Sequence, residues 1–376
     1  MTPLRTLRHS VARVLRTHYP AFLFGIPGSA PSCSVFCYHE VDPNLFAGDL
    51  RFLAENGYRT LGVHEFVETA SRGGDPRAVL LTFDDAKRNF WDVTFPLLKQ
   101  FGARVTLFVP TAWMENGDRD PEPECEAPAN MFMTWDQVRV CADSGLVDVQ
   151  AHGHRHALVH TSNCLVGFAT PEQVRRSPIY DWPMRSEKGR NRQGIPPLGT
   201  PIYDAEPLLS ARARILEDET AARTCRELVR EGGGQAFFDR PGPLAQLRRA
   251  HNDAACRISR VRRIEGPEFE SLVRAEFERS SELLRRHVGR APEFFAYPWM
   301  MGSDLSLRCA ADAGIKAVFG VGLDFTRAQR LAGPLVGYGR LKGDWLRFLP
   351  GRGRRRLREV VPGKLARFLG SEHLAH

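Results

Sequence analysis

Hydrophobic and polar positions along the chain alternate between two periods. Ala78-Val79-Leu80-Leu81-Thr82-Phe83 is an unbroken apolar run closed by Asp84-Asp85, the pattern of a strand buried on both faces. Ahead of it, a strand is expected at 33–38. Leu45, Phe46, Leu50, Phe52 and Leu53 then recur at helical spacing up to Gly57, a residue suited to a helix C-terminus. A strand at 58–61 and a helix at 64–71 precede the Asp-Asp strand; a helix at about 89–101 and a strand at 104–109 follow it. Thr134 is placed to cap a helix reaching Asp143, which feeds the alternating strand Val147-Asp148-Val149-Gln150-Ala151. Such strand–helix alternation predicts a parallel sheet. From about 157 to 264 it lapses into an irregular stretch, then into helical spacing at 216–229 and 244–258. It resumes with a helix over 268–290, a short strand at 294–297, a helix at 305–313 and strands at 316–321 and 335–341.

Chemistry concentrates at two strand ends. Adjacent carboxylates at Asp84 and Asp85 push one pKa up when both are buried. A bound cation, or a division into one metal ligand and one base, resolves the conflict. For an isolated Asp-Asp pair a solvated turn is the alternative. The second strand end weighs against that alternative: His152, His154 and His156 follow it closely, with His160 beyond. Two imidazoles and one carboxylate form a facial ligand set with open positions for a first-row metal.

These residues carry a family resemblance. Thr82-Phe83-Asp84-Asp85 resembles the first motif of the polysaccharide deacetylases, the NodB-homology or family 4 carbohydrate esterases. His152 and His156 match the His-x-x-x-His second motif, and Phe295-Ala296-Tyr297-Pro298 resembles the third, in a variant without the arginine found in many members. The opening Val35-Phe36-Cys37-Tyr38-His39-Glu40-Val41 is similar to the poly-N-acetylglucosamine deacetylase branch. The resemblance spans about residues 33–156 and 292–341.

What it implies is an α/β fold, a distorted or incomplete (β/α) barrel of the NodB-homology type, interrupted by a long helical and irregular insertion over about 157–264. The barrel would occupy 33–341, between a basic amphipathic N-terminal segment (1–32) and a basic C-terminal tail (342–376). The resemblance assigns one divalent metal ion, zinc first with nickel or cobalt as alternatives, to Asp85, His152 and His156. It makes Asp84 the general base and His39 the general acid. The backbone N–H of Tyr297 would bind the oxyanion, and Pro298 and Trp299 would flank the substrate. The implied activity is metal-dependent hydrolysis of an N-acetyl group from an amino sugar in a glycan, glycan precursor or glycoconjugate, releasing acetate. Two other readings remain: a hydrolase of a non-sugar amide or O-acyl ester on the same scaffold, and a non-catalytic carbohydrate-binding protein.

Composition adds location and partners. The 376 residues, 43% of them apolar, are ample for one large α/β domain. Net charge is +8, and Arg340 to Arg367 holds ten Lys and Arg against Asp344 and Glu359. Such a run is a solvated tail or a contact with an anionic surface, lipid or polymer. The arginines at 5, 8, 13 and 16 fall between apolar positions at helical spacing, so this segment packs on the body or lies on anionic lipid. Peripheral membrane contact is thus an expected partner beside the N-acetylated glycan; nucleic acid is not expected, because no aromatic motif interleaves the basic run. Eight cysteines scattered without a Cys-x-x-Cys pair favour a reducing compartment. With no signal-peptide pattern at the N-terminus, a cytoplasmic location, at the inner face of the membrane, is expected. Tyr180, Trp182 and Tyr203 in the insertion are candidates to stack on a sugar.

Overall fold

The computed structural model describes residues 20–24, 34–115, 125–257, 261–321 and 328–355. Most of the expected N-terminal amphipathic segment and the tail beyond 355 lie outside these residues.

One ten-stranded sheet organises the chain, and all its pairings but one are parallel. Ser34–Tyr38 pairs with Ala78–Phe83, which pairs with Val105–Val109, which pairs with Val147–Ala151. The order continues through Phe294–Ala296 and Ala317–Phe319 to Val336–Tyr338. Closure comes from the chain itself. Gln329–Arg330 pairs antiparallel with Val336–Tyr338 at one edge of this order, while Leu341–Lys342 pairs with Phe36 and Cys37 at the other. Gly339 and Arg340 therefore span the seam of a distorted barrel. Every residue of Ala78–Phe83 and of Val105–Val109 is buried, as unbroken apolar runs in a covered parallel sheet require.

The connecting helices form where their patterns place them. Pro43–Glu55 is capped by Asp42, whose Oδ1 accepts from the N–H groups of Asn44 and Leu45. Trp135–Asp143 opens on a reciprocal Thr134–Gln137 capping box. The 23-residue helix Gly266–Val288 ends at Gly289, whose φ of 83° needs a residue without a Cβ. No described helix is long and apolar enough to cross a membrane.

Two regions differ from expectation. The stretch after His156 is not irregular: Leu158–Phe168 forms an 11-residue strand pairing antiparallel with Pro201–Pro207. A hairpin of Arg185–Glu187 and Arg190–Gly194 lies within that span. Where a solvated tail was expected from 342, Gly343–Phe348 forms a 3₁₀ turn, and Leu346, Phe348 and Leu349 are buried in the main core. Arg347 bonds Asp49 at 2.7 Å, so the packed body continues past Lys342.

Candidate active site

Asp84 and Asp85 leave the sheet at the C-terminal end of their strand, the end where barrel chemistry collects. The Asp84 N–H still donates to the Tyr38 carbonyl at 3.0 Å, extending the ladder by one residue. At Asp85 the backbone turns abruptly, with φ of 72° there and 48° at Ala86. The histidine strand ends in the same way: the His152 N–H donates to the Val109 carbonyl, and His156 adopts a φ of 49°. Trp299 and Met300 also lie in the left-handed region. These five are among seven described non-glycine residues with positive φ. Each such residue costs about 1–3 kcal/mol, so the strain is gathered at one end of the barrel.

The geometry brings three of the sequence-predicted residues together. One donor atom each from Asp85, His152 and His156 lies within 4.8 Å of the others, and all three residues are buried. The Asp85 Oδ1 is 3.7 Å from His152 Nε2 and 3.8 Å from His156 Nε2. His152 Nδ1 lies 2.8 Å from the Ala296 carbonyl, which fixes Nδ1 as the protonated nitrogen and aims Nε2 at the carboxylates. Burial lowers the His152 pKa against the pull of Asp84 and Asp85, favouring the neutral imidazole that a metal needs. Both the donor set and its spacing fit one divalent cation.

His156 is held by its neighbours. Tyr180 stacks on it with ring centroids 4.0 Å apart at 28°, and Trp299 lies 4.2 Å away at 55°. Tyr180 is buried against Trp113 and Phe132, and Trp182 and Tyr203 are buried too. The expectation that these three stack on a sugar is corrected here: their rings are taken up by protein, and Tyr180 positions a ligand instead. Behind the histidines, the buried Glu276 accepts from the N–H groups of His154 and Arg155 at 3.1 and 2.8 Å and pairs with the Arg155 guanidinium. Gly153 enters that loop at a φ of 81°, a backbone conformation that favours glycine. His154 turns away to Thr111 Oγ1 at 2.9 Å, and His160 lies 3.5 Å from Glu217 in the insertion. Neither joins the cluster.

Asp84 sits beside this set in a different electrostatic setting. Its Oδ2 is 3.7 Å from His152 Nε2, and its Oδ1 accepts from the Arg340 guanidinium at 2.7 Å, with both side chains almost fully buried. Burial alone would raise the Asp84 pKa. Arg340, then His152 and His39, outweigh that and hold the carboxyl well below its usual range. Asp84 is thus ionised and oriented at neutral pH. Arg340 was not singled out in the sequence, where it was counted only into the basic run from 340 to 367. The half-buried His39 offers a ring nitrogen within 4.8 Å of an Asp84 oxygen.

One expected role fails. The Tyr297 N–H donates to the Phe319 carbonyl at 3.0 Å, continuing the sheet, so it is not directed at a substrate. The Tyr297 ring is fully buried, with Pro298 buried behind the half-exposed Trp299.

Comparison with known proteins places this arrangement. Residues 71–177 match the family model described as polysaccharide deacetylase. Over 106 residues the chain is 35% identical to the poly-beta-1,6-N-acetyl-D-glucosamine N-deacetylase of Escherichia coli K12, a match covering 27% of this chain and 16% of that protein. Over 72 residues it is 31% identical to the putative polysaccharide deacetylase YxkH of Bacillus subtilis, covering 19% of this chain and 26% of that one. The matches thus span about a sixth to a quarter of these relatives' length. Among solved structures, a de-N-acetylase from Aggregatibacter actinomycetemcomitans superposes with a TM-score of 0.50 at 18% identity, covering 82% of this chain and 94% of that one. That likeness extends the deacetylase fold over most of the chain.

Proposed function

For a chain that carries a polysaccharide deacetylase domain over residues 71–177, we propose metal-dependent hydrolysis of an N-acetyl group from an amino sugar in a glycan or glycan precursor. The observation that carries this reading is the convergence of Asp85, His152 and His156 beside a second carboxylate that a buried arginine keeps charged. Asp85, His152 and His156 would hold one divalent cation, zinc first and nickel or cobalt after it. Such a cation polarises an amide carbonyl and lowers the pKa of bound water.

The chain's own residues supply the proton transfers. Asp84 Oδ2 takes a proton from water as its oxygen attacks the acetyl carbon, while Arg340 anchors Oδ1 and fixes the direction of transfer. His39 donates a proton to the departing nitrogen as the carbon–nitrogen bond breaks, leaving acetate and a free amine. Trp299 offers a half-exposed indole wall beside His156, suited to the apolar face of a sugar ring. Hydrolysis of a non-sugar amide or an O-acyl ester uses the same chemistry and is the second reading. By analogy with the Escherichia coli N-deacetylase that the chain resembles, β-1,6-linked N-acetylglucosamine is the first polymer to test.

Acetate release should be measured on β-1,6- and β-1,4-linked N-acetylglucosamine oligomers beside an O-acetyl ester and a simple acetamide. The expected result is cation-dependent release from an oligomer and none by Asp84→Asn. Cleavage of the ester or acetamide alone would replace the sugar assignment with the second reading.

A further inference from the structure

A second set of ligating side chains lies against the first. Cys37, His39 and Asp84 each offer one donor atom, and the three atoms lie within 4.8 Å of one another. The Cys37 Sγ is 3.5 Å from Asp84 Oδ2. Tetrahedral zinc, with bonds of about 2.3 Å to sulfur and about 2.0 Å to a carboxylate oxygen, holds those two atoms about 3.5 Å apart. The sulfur and oxygen therefore already stand at the separation a shared ion would impose. Arg340 occupies Oδ1, so Oδ2 is the oxygen turned toward Cys37.

We propose that Cys37, His39 and Asp84 form a second, inhibitory site for a thiophilic divalent cation such as zinc or cadmium, filled after the Asp85 set. Its inhibitory half rests on the deacetylase reading: Asp84 and His39 are the base and acid of that reaction, and an ion bound to them removes both. On binding, the Cys37 sulfur–hydrogen bond breaks, a sulfur–metal bond forms and the proton leaves to solvent; nothing is oxidised or reduced. Arg340, hydrogen-bonded to Asp84, together with an ion in the adjacent set repels a second dication, which makes this the weaker site and sets the order of loading. The thiolate excludes magnesium, calcium and manganese, which prefer oxygen ligands.

Cobalt titration of the full chain tests the site without relying on turnover. A near-ultraviolet thiolate-to-cobalt band should rise with the second equivalent. It should be lost in Cys37→Ser and Cys37→Ala and kept in Asp85→Asn. Zinc content after incubation with excess metal should fall from about two ions per chain to about one in Cys37→Ser. Circular dichroism and a retained first equivalent show that the cysteine variants fold. Excess zinc should suppress turnover of the wild type and spare Cys37→Ser. No band in the wild type, or a band that survives Cys37→Ser, overturns the site; equal zinc inhibition of both proteins overturns its inhibitory role. Should the wild type act on no N-acetylated sugar, the deacetylase reading fails and the cobalt band still decides the site.

Discussion

The buried pair of Arg340 and Asp84 is where the account commits itself to a magnitude. The two side chains are 1% and 3% exposed and 2.7 Å apart, and Arg340 makes a further, longer contact of 3.4 Å to Thr82 Oγ1. Arg340→Met keeps much of the side-chain volume and leaves the Asp84 charge uncompensated, a change expected to cost about 3–5 kcal/mol of stability. Asp84→Asn creates the mirror defect, a buried guanidinium without its carboxylate, at a similar cost of about 3–5 kcal/mol. The double variant removes both charges and should be less destabilised than either single one, giving a coupling of at least about 2 kcal/mol. The pH must be chosen with the sign in mind. Because the folded-state pKa of Asp84 is depressed, its stabilising contribution is complete above the unfolded value of about 3.9 and is lost only as pH falls through the lower folded value. Urea denaturation at pH 7 with a chelator present therefore reads the pair at full strength without help from a bound cation. A cost below about 1 kcal/mol for Arg340→Met, or additivity within about 0.5 kcal/mol, would refute the reasoning.

Other expectations concern what holds the histidines. The Tyr180 hydroxyl is buried without a hydrogen-bond partner among the described residues, so Tyr180→Phe should be neutral or stabilising by up to about 1 kcal/mol in thermal unfolding. Tyr180→Ala removes the ring stacked on His156 and should cost about 3–5 kcal/mol. It should also weaken cation binding about 10–100-fold in calorimetry. Glu276→Ala removes the buried acceptor shared by the Arg155 guanidinium and two backbone N–H groups, with an expected loss of about 3–5 kcal/mol in denaturant titration. Asp84→Asn should retain the first equivalent of metal by elemental analysis while losing turnover, whereas Asp85→Asn should lose that first equivalent and turnover.

Much of the barrel was legible because its signals are local. Ala78–Phe83 carries its burial in composition, and the Thr134–Gln137 box marks a helix start within four residues. The expected metal ligands could be named because Asp84-Asp85 and the His152–His156 spacing match the first and second motifs of the family, although only the fold brings Asp85 to His152 across the intervening Val105–Val109 strand. What escaped depends on partners distant in sequence. Arg340 lies among basic residues and is buried only because the barrel seam carries it to a carboxylate 256 positions earlier. The Tyr297 N–H was assigned to an oxyanion by the family resemblance alone, yet it continues the pairing with the neighbouring strand one residue past Ala296. Leu158–Phe168 read as irregular because its partner strand begins only at Pro201, beyond an intervening hairpin. Tyr180 followed the general habit of aromatics near sugar sites, and only the packing of Trp113 and Phe132 shows where its ring is used.

Anomalous diffraction from crystals loaded with one equivalent of zinc addresses the central claim most directly. A single peak within bonding distance of Asp85 Oδ1, His152 Nε2 and His156 Nε2 is the expected result. Zinc found elsewhere at full occupancy, or those three side chains turned apart with no peak between them, would contradict it.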